Sequence, residues 1–199
     1  MKTEELIKLA CQGDVASCNR LAKSFFKILY RYFINAWRLS AQEAEEMTQD
    51  TFIEVWSSLK SFEGKSWRSW LMTIARRVAW KTLRAKPPTP LYASPEEESH
   101  AEDTFALENP VPTQEDIIAR QQEYQVIHGL IAELRLEYRE LLHLYYLEEL
   151  STDEISTSMD IPLGTVKIWL YRARNELKQK WISQNNKSRK SLVQPRRRP

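Results

Sequence analysis

The chain has 199 residues and a formal net charge of +2, and 42% of its residues are hydrophobic. This is enough for one or two small domains, and only four glycines with little strand-like alternation favour an all-helical fold. No apolar run approaches the roughly 20 residues that span a membrane, and the N-terminus lacks the apolar core of a signal peptide. We therefore expect a cytoplasmic protein. Two cysteines and three scattered histidines predict no metal site.

The first predicted helices lie in residues 4–37, where apolar side chains recur at helical spacing. Gly13 breaks this run, and Asp14 can cap the helix that follows. Ser40 and Glu43 then have the spacing of a capping box, in which each side chain binds a backbone N–H at the helix start. We expect a further helix over residues 41–59.

One face of that helix is acidic and carries a single aliphatic residue. Glu46, Gln49, Asp50 and Ile53 share this face. It would suit docking of a basic partner surface, although a solvated face is the commoner explanation for charges on a helix.

The next predicted helix, residues 67–83, has a basic face. Arg76, Arg77, Trp80 and Arg84 share one arc, and Lys81 flanks it. Arginines around an exposed indole suit single-stranded nucleic acid, because phosphates pair with cations and bases stack on aromatic rings. Packing of Trp80 on the preceding helix explains the same residue equally well.

Residues 86–113 contain most of the prolines, together with Ser and Glu. Such a composition buries too little apolar surface to fold alone. We therefore predict a flexible acidic Pro-rich linker between an N-terminal domain, residues 1–85, and a C-terminal domain, residues 114–182. Residues 183–199 are polar and basic, and we predict a disordered tail that adds sequence-independent attraction to DNA.

Residues 151–180 predict two helices joined by a tight turn. Ser151 and Glu154 fit a second capping box, Asp160 lies where a left-handed backbone is expected, and Pro162 can open the second helix. The outer face of that helix is cationic, hydrogen-bonding and aromatic, with Thr165, Lys167, Ile168, Tyr171, Arg172 and Lys178. Such a face suits the phosphates, base edges and thymine methyls of a major groove. An amphipathic helix with a solvated basic face is the alternative.

Taken together, these segments resemble the extracytoplasmic-function (ECF) sigma factors of bacterial RNA polymerase, and the resemblance covers nearly the whole chain. Residues 41–56 resemble the core-binding helix of region 2, with Glu45, Glu46, Gln49 and Asp50 in its pattern. Residues 67–84 resemble the segment that melts and recognises the −10 promoter element. Residues 134–174 resemble region 4, which recognises the −35 element.

The resemblance implies two small helical domains, a region 2-like bundle and a region 4-like helix-turn-helix, in a non-catalytic protein. It implies binding to core RNA polymerase, through the beta and beta-prime subunits, and to promoter DNA. An anti-sigma factor is expected as a further partner. No cofactor, metal or small-molecule substrate is expected.

Two other functions remain as alternatives. A stand-alone helix-turn-helix regulator would use the C-terminal domain alone on DNA. A phosphodiester-cleaving enzyme could use Glu45, Glu46 and Asp50, but no His or Lys lies near these carboxylates in the sequence.

Overall fold

The computed structural model describes residues 2–64, 66–85 and 125–192, and all regular elements in these ranges are helical. The N-terminal part contains α1 (Thr3–Cys11), α2 (Val15–Asn35), α3 (Ala41–Ser58), a 3₁₀ turn (Leu59–Ser61) and α4 (Trp67–Ala85). The C-terminal part contains α5 (residues 125–132), α6 (Leu136–Tyr146), α7 (Thr152–Met159) and α8 (Leu163–Leu192). The predicted all-helical fold is confirmed. Within the described ranges, none of the helices is both long and apolar enough to span a bilayer.

The starts of the N-terminal helices are held by the predicted caps. The Asp14 carboxylate accepts a hydrogen bond from the Ser17 backbone N–H at 2.9 Å, and the hydrogen bonds from Ser17 lower the pKa of Asp14. Ser40 and Glu43 form the complete capping box at the start of α3. These caps satisfy backbone donors that a helix start leaves without partners.

The N-terminal domain packs α2, α3 and α4 around one apolar core. Leu21, Leu29, Phe33, Val55 and Leu71 are completely buried in it. Contacts within this core fix the rotation of α3 and α4, and thereby decide which of their residues face outward.

The helix-turn-helix of the C-terminal domain is formed by α7 and α8. Ser151 and Glu154 form the capping box that opens α7. Asp160 closes α7 with φ 54° and ψ 50°, the predicted left-handed conformation. Buried Ile155 on α7 and Val166 on α8 join the two helices to the core of this domain.

The two domains pack against each other, with α6 and α7 lying on α2 and α4. The Arg139 guanidinium donates from Nε to the Ala36 carbonyl oxygen at 2.9 Å. From the other side, Arg38 donates from Nη1 to the Ala132 carbonyl oxygen at 3.1 Å. The apolar core is continuous across this contact.

The C-terminal segment differs from its prediction. A disordered tail was expected from residue 183, but α8 continues to Leu192. The physical reason is local: residues 181–192 include neither Gly nor Pro, and Lys, Arg and Gln sustain a helix well. The predicted linker, residues 86–113, and residues 193–199 lie outside the described ranges.

Candidate nucleic-acid and protein interfaces

The acidic face predicted on α3 is a continuous exposed surface. Its members Glu45, Glu46, Gln49, Asp50 and Ile53 are all exposed, and the Ile53 side chain is exposed by 67%. The opposite side of α3 is buried, which holds the acidic face outward. This surface therefore combines negative charge with one aliphatic contact point.

The outer face of α8 is also exposed. Lys167, Ile168, Tyr171, Arg172 and Lys178 are accessible, and Tyr171 reaches 68% exposure; the remaining predicted member, Thr165, is half-buried. The structure thus brings the predicted residues onto one side of the second helix of the helix-turn-helix.

Aromatic and cationic contacts anchor α8 behind this face. The Arg135 guanidinium lies 3.9 Å from the centre of the Tyr138 ring and 5.1 Å from that of Trp169. Arg174 donates from Nε to the Tyr146 hydroxyl at 2.8 Å. These contacts join α8 to the two ends of α6 and support the helix from which the exposed side chains project.

The residues of the basic face predicted on α4 differ in their exposure. Arg77 and Lys81 are exposed. Trp80 is half-buried, with its ring edge-on to Trp37 at 5.5 Å between centroids, so it contacts the segment between α2 and α3. The Arg84 side chain lies outside the described residues.

Arg76 points to the other domain. Its Nε lies 3.0 Å from Oε1 of Glu140 on α6, and the Tyr32 hydroxyl donates to the same oxygen at 2.6 Å. Glu140 has no exposed surface. Burial raises the pKa of the Glu140 carboxyl, while the charge of Arg76 and the bond from Tyr32 oppose that rise. Burial and the neighbouring Glu140 likewise raise the pKa of Tyr32.

Glu140 was not identified from the sequence. In the segment LEYRELL it resembles any charged residue of an exposed helix face, because a partner 108 positions away in the chain leaves no local pattern. A second cation of the same region is held similarly. The Arg68 Nη1 donates to the Glu148 carbonyl oxygen at 3.1 Å and lies 3.9 Å from the Glu148 carboxylate.

Comparison with known proteins identifies the family of the chain. The family model for Sigma-70 region 2 matches residues 19–87, and that for Sigma-70, region 4 matches residues 124–177. The RNA polymerase sigma-H factor of Pseudomonas aeruginosa is 31% identical over 178 residues, which cover 87% of this chain and 91% of that protein. The chain belongs to the sigma-70 family. The ECF RNA polymerase sigma-E factor of Haemophilus influenzae is 28% identical over 187 residues, covering 89% of this chain and 94% of the relative.

Solved structures share the fold of this sigma factor. CnrH, in complex with the cytosolic domain of CnrY, matches with a TM-score of 0.63 at 16% identity, over 90% of this chain and 97% of CnrH. RpoE from Bartonella quintana, in complex with the anti-sigma factor NepR, matches with a TM-score of 0.61 at 20% identity, over 81% and 94%.

The predicted ECF-type sigma factor is therefore confirmed, and the chain directs promoter-specific transcription initiation. Region 2 and region 4 are matched in that order along one chain. A stand-alone helix-turn-helix regulator is not favoured, because such a protein would have no need for region 2.

Proposed function

We propose that three faces divide the work of this sigma factor. The α3 face docks on core RNA polymerase, the α4 face binds the melted −10 strand, and the α8 face recognises the −35 duplex. We assign the first two to residues 1–85 and the third to residues 114–182. The observation that carries the proposal is the exposed face of α8, which places cations, hydroxyl groups and the Tyr171 ring on the second helix of a helix-turn-helix.

The composition of the α8 face supports duplex recognition. Lys167 and Lys178 supply phosphate contacts, Arg172 can donate two hydrogen bonds to a guanine edge, and Ile168 offers an aliphatic contact to a thymine methyl. Phosphate contacts set the position on the duplex, and base contacts set the sequence. This face contains residue types for both.

The proposed role of α3 rests on charge and exposure. Glu45, Glu46, Gln49 and Asp50 attract a basic polymerase surface, and Ile53 provides apolar area at the centre of the contact. The Ile53 side chain, exposed by 67%, adds apolar surface next to these charges.

The proposed role of α4 uses Arg76, Arg77, Lys81 and Arg84 for the phosphates of the separated strand and the Trp80 ring for stacking. Stacking of a base on an aromatic side chain is worth about 1–3 kcal/mol, which helps to offset the few kcal/mol needed to extrude a base.

We further propose that this protein works in the cytoplasm as a non-catalytic subunit, without cofactor or small-molecule substrate. Its partners would be the beta and beta-prime subunits, promoter DNA and an anti-sigma factor. The anti-sigma proposal is supported by the structural similarity to RpoE, which was solved in complex with the anti-sigma factor NepR.

The test is a pull-down of the full chain with bacterial core polymerase, followed by run-off transcription from a genomic fragment library. Stable binding and new, discrete start sites are expected, and Asp50→Lys should weaken the binding. Glu4→Lys is the matched control, since it reverses another exposed acid of the same domain on α1. Absence of polymerase binding with retained sequence-specific duplex binding would contradict the proposal.

A further inference from the structure

We propose that a cavity on the C-terminal domain binds a small molecule with a long apolar body and one anionic group, of the chemical class of a fatty acid. The cavity lies between α5, α6 and α8, and Asn35 at the end of α2 also lines it. Its volume is about 510 Å³, within the range of roughly 300–1,000 Å³ that holds small-molecule ligands.

The walls of the cavity are mainly apolar. Aliphatic and aromatic side chains from all three helices of the C-terminal domain line it, and they include Ile127, Ile131, Leu142, Leu147, Leu177 and Trp181. Ile127 and Leu147 are each exposed by 40%, so the apolar area continues from the cavity to the protein surface. An alkyl or aryl body that covered this area would remove it from water, which is favourable.

The charged groups that line the same cavity are all cationic. Arg139, Arg174 and Lys178 carry positive charge, and none of the described residues that line the cavity is an Asp or a Glu. Lys178 is exposed, and Arg174 donates to the Tyr146 hydroxyl at 2.8 Å. An uncharged apolar ligand would leave these charges unmatched, whereas an anionic group is complementary to them.

Arg139 has the greatest need of an anionic partner. It is exposed by only 9%, and its Nε and Nη1 donate to the backbone carbonyl oxygens of Ala36 and Leu134. Burial lowers the pKa of the Arg139 guanidinium, and the charge of Arg38 lowers it further. A buried cation without a counter-charge is costly, because its desolvation is not compensated.

The acids that neighbour Arg139 on α6 have other partners. The charge of Glu137 opposes the decrease in the pKa of Arg139, but its carboxylate lies 3.8 Å from Nε of Arg135. The Glu140 carboxylate lies 3.0 Å from Nε of Arg76. Within the described ranges, Arg139 therefore forms no ion pair with a carboxylate of this chain.

A second buried polar group lines the cavity. His143 is exposed by 4%, and its Nε2 lies 3.4 Å from Oε1 of Glu148. Its Nδ1 has no hydrogen-bond partner among the described residues, although most buried polar atoms in proteins have one. This nitrogen is therefore available to a ligand oxygen.

The arrangement of these groups narrows the ligand class. Arg139 and His143 are four positions apart on α6, so they are neighbours on one face of the helix, and a single carboxylate can bind both. The apolar walls then surround the body of the ligand. This site goes beyond the proposed function, and of the residues that line it only Lys178 belongs to the α8 face.

The experiment is a calorimetric titration of the full chain with decanoate, below the concentration at which it forms micelles. Decanol has the same hydrocarbon tail without the charge and is the matched ligand. Three variants are compared with the parent. Arg139→Met removes the buried charge, Leu177→Trp adds bulk to the wall and keeps every charge, and Arg20→Met removes an exposed cation of α2 that does not line the cavity.

One decanoate should bind per protein chain, at least about tenfold more tightly than decanol, because a hydrogen bond to a charged group adds that much affinity. Arg139→Met should lower the affinity for decanoate about tenfold or more and leave the affinity for decanol unchanged, which also shows that this variant is folded. Leu177→Trp should weaken the binding of both ligands, and Arg20→Met should weaken neither.

Equal affinity of the parent for the two ligands, or equal losses in Arg139→Met and Arg20→Met, would overturn the carboxylate site. Unchanged decanoate affinity in Leu177→Trp, or several decanoates per protein chain, would overturn the cavity as the place of binding. Absence of binding by either ligand would overturn the proposal and favour a protein segment as the occupant. The titration contains neither polymerase nor DNA, so each outcome is independent of the proposed function.

Discussion

Replacing Ile53 by Ala should weaken polymerase binding without affecting folding. Complete burial of an isoleucine side chain stabilises an interface by about 1.5–3 kcal/mol. Because Ile53 is exposed by 67% in the free protein, roughly two thirds of that value, about 1–2 kcal/mol, remains to be gained on docking. Loss of this term corresponds to a roughly 5- to 30-fold increase in Kd, which a titration of labelled protein with core polymerase would measure.

Val15→Ala is the matched control for this substitution. Val15 is another aliphatic residue of the N-terminal domain and is exposed by 69%, but it lies at the start of α2. Its removal should change polymerase affinity by less than about twofold and the free energy of unfolding by less than about 0.5 kcal/mol. Equal losses of affinity in the two variants, or none in Ile53→Ala, would refute docking through the α3 face.

The remaining predictions concern the other two faces. Arg172→Ala should reduce the binding free energy for the cognate −35 duplex by about 1–3 kcal/mol and relax the base preference at one position. Lys178→Ala should weaken binding to all duplexes alike. A similarly uniform loss of affinity in Arg172→Ala would show that Arg172 contacts a phosphate and not a base. Trp80→Ala should leave −35 binding intact and reduce permanganate reactivity of −10 thymines, whereas normal reactivity would argue against stacking on this ring. Ser151→Ala removes the α7 cap and should lower the free energy of unfolding by about 1 kcal/mol in denaturant titrations; an unchanged midpoint would mean that the capping box adds nothing.

Features specified by neighbouring residues could be predicted from the sequence. The capping boxes at Ser40 and Ser151 and the left-handed Asp160 depend on partners within a few positions. The exposed faces of α3 and α8 follow from helical periodicity once the apolar side is identified. In these cases the local signal and the tertiary environment agree.

Features specified by distant residues could not be predicted. The burial of Glu140 depends on Tyr32 and Arg76, which belong to the other domain. The half-buried position of Trp80 depends on Trp37 in the segment after α2. For Trp80 the sequence left two explanations open, and periodicity alone could not choose between a ring facing DNA and a ring packed on a neighbouring segment.

The exposure of the α8 face in the packed chain has a thermodynamic consequence. A ligand shifts a conformational equilibrium only by its difference in affinity between the two states. Because Lys167, Tyr171 and Arg172 are already exposed while the two domains are packed, a duplex that binds this face alone gains no contact from domain separation and should not drive it. The free energy for separation must come from molecules that bind the separated domains more tightly than the packed ones.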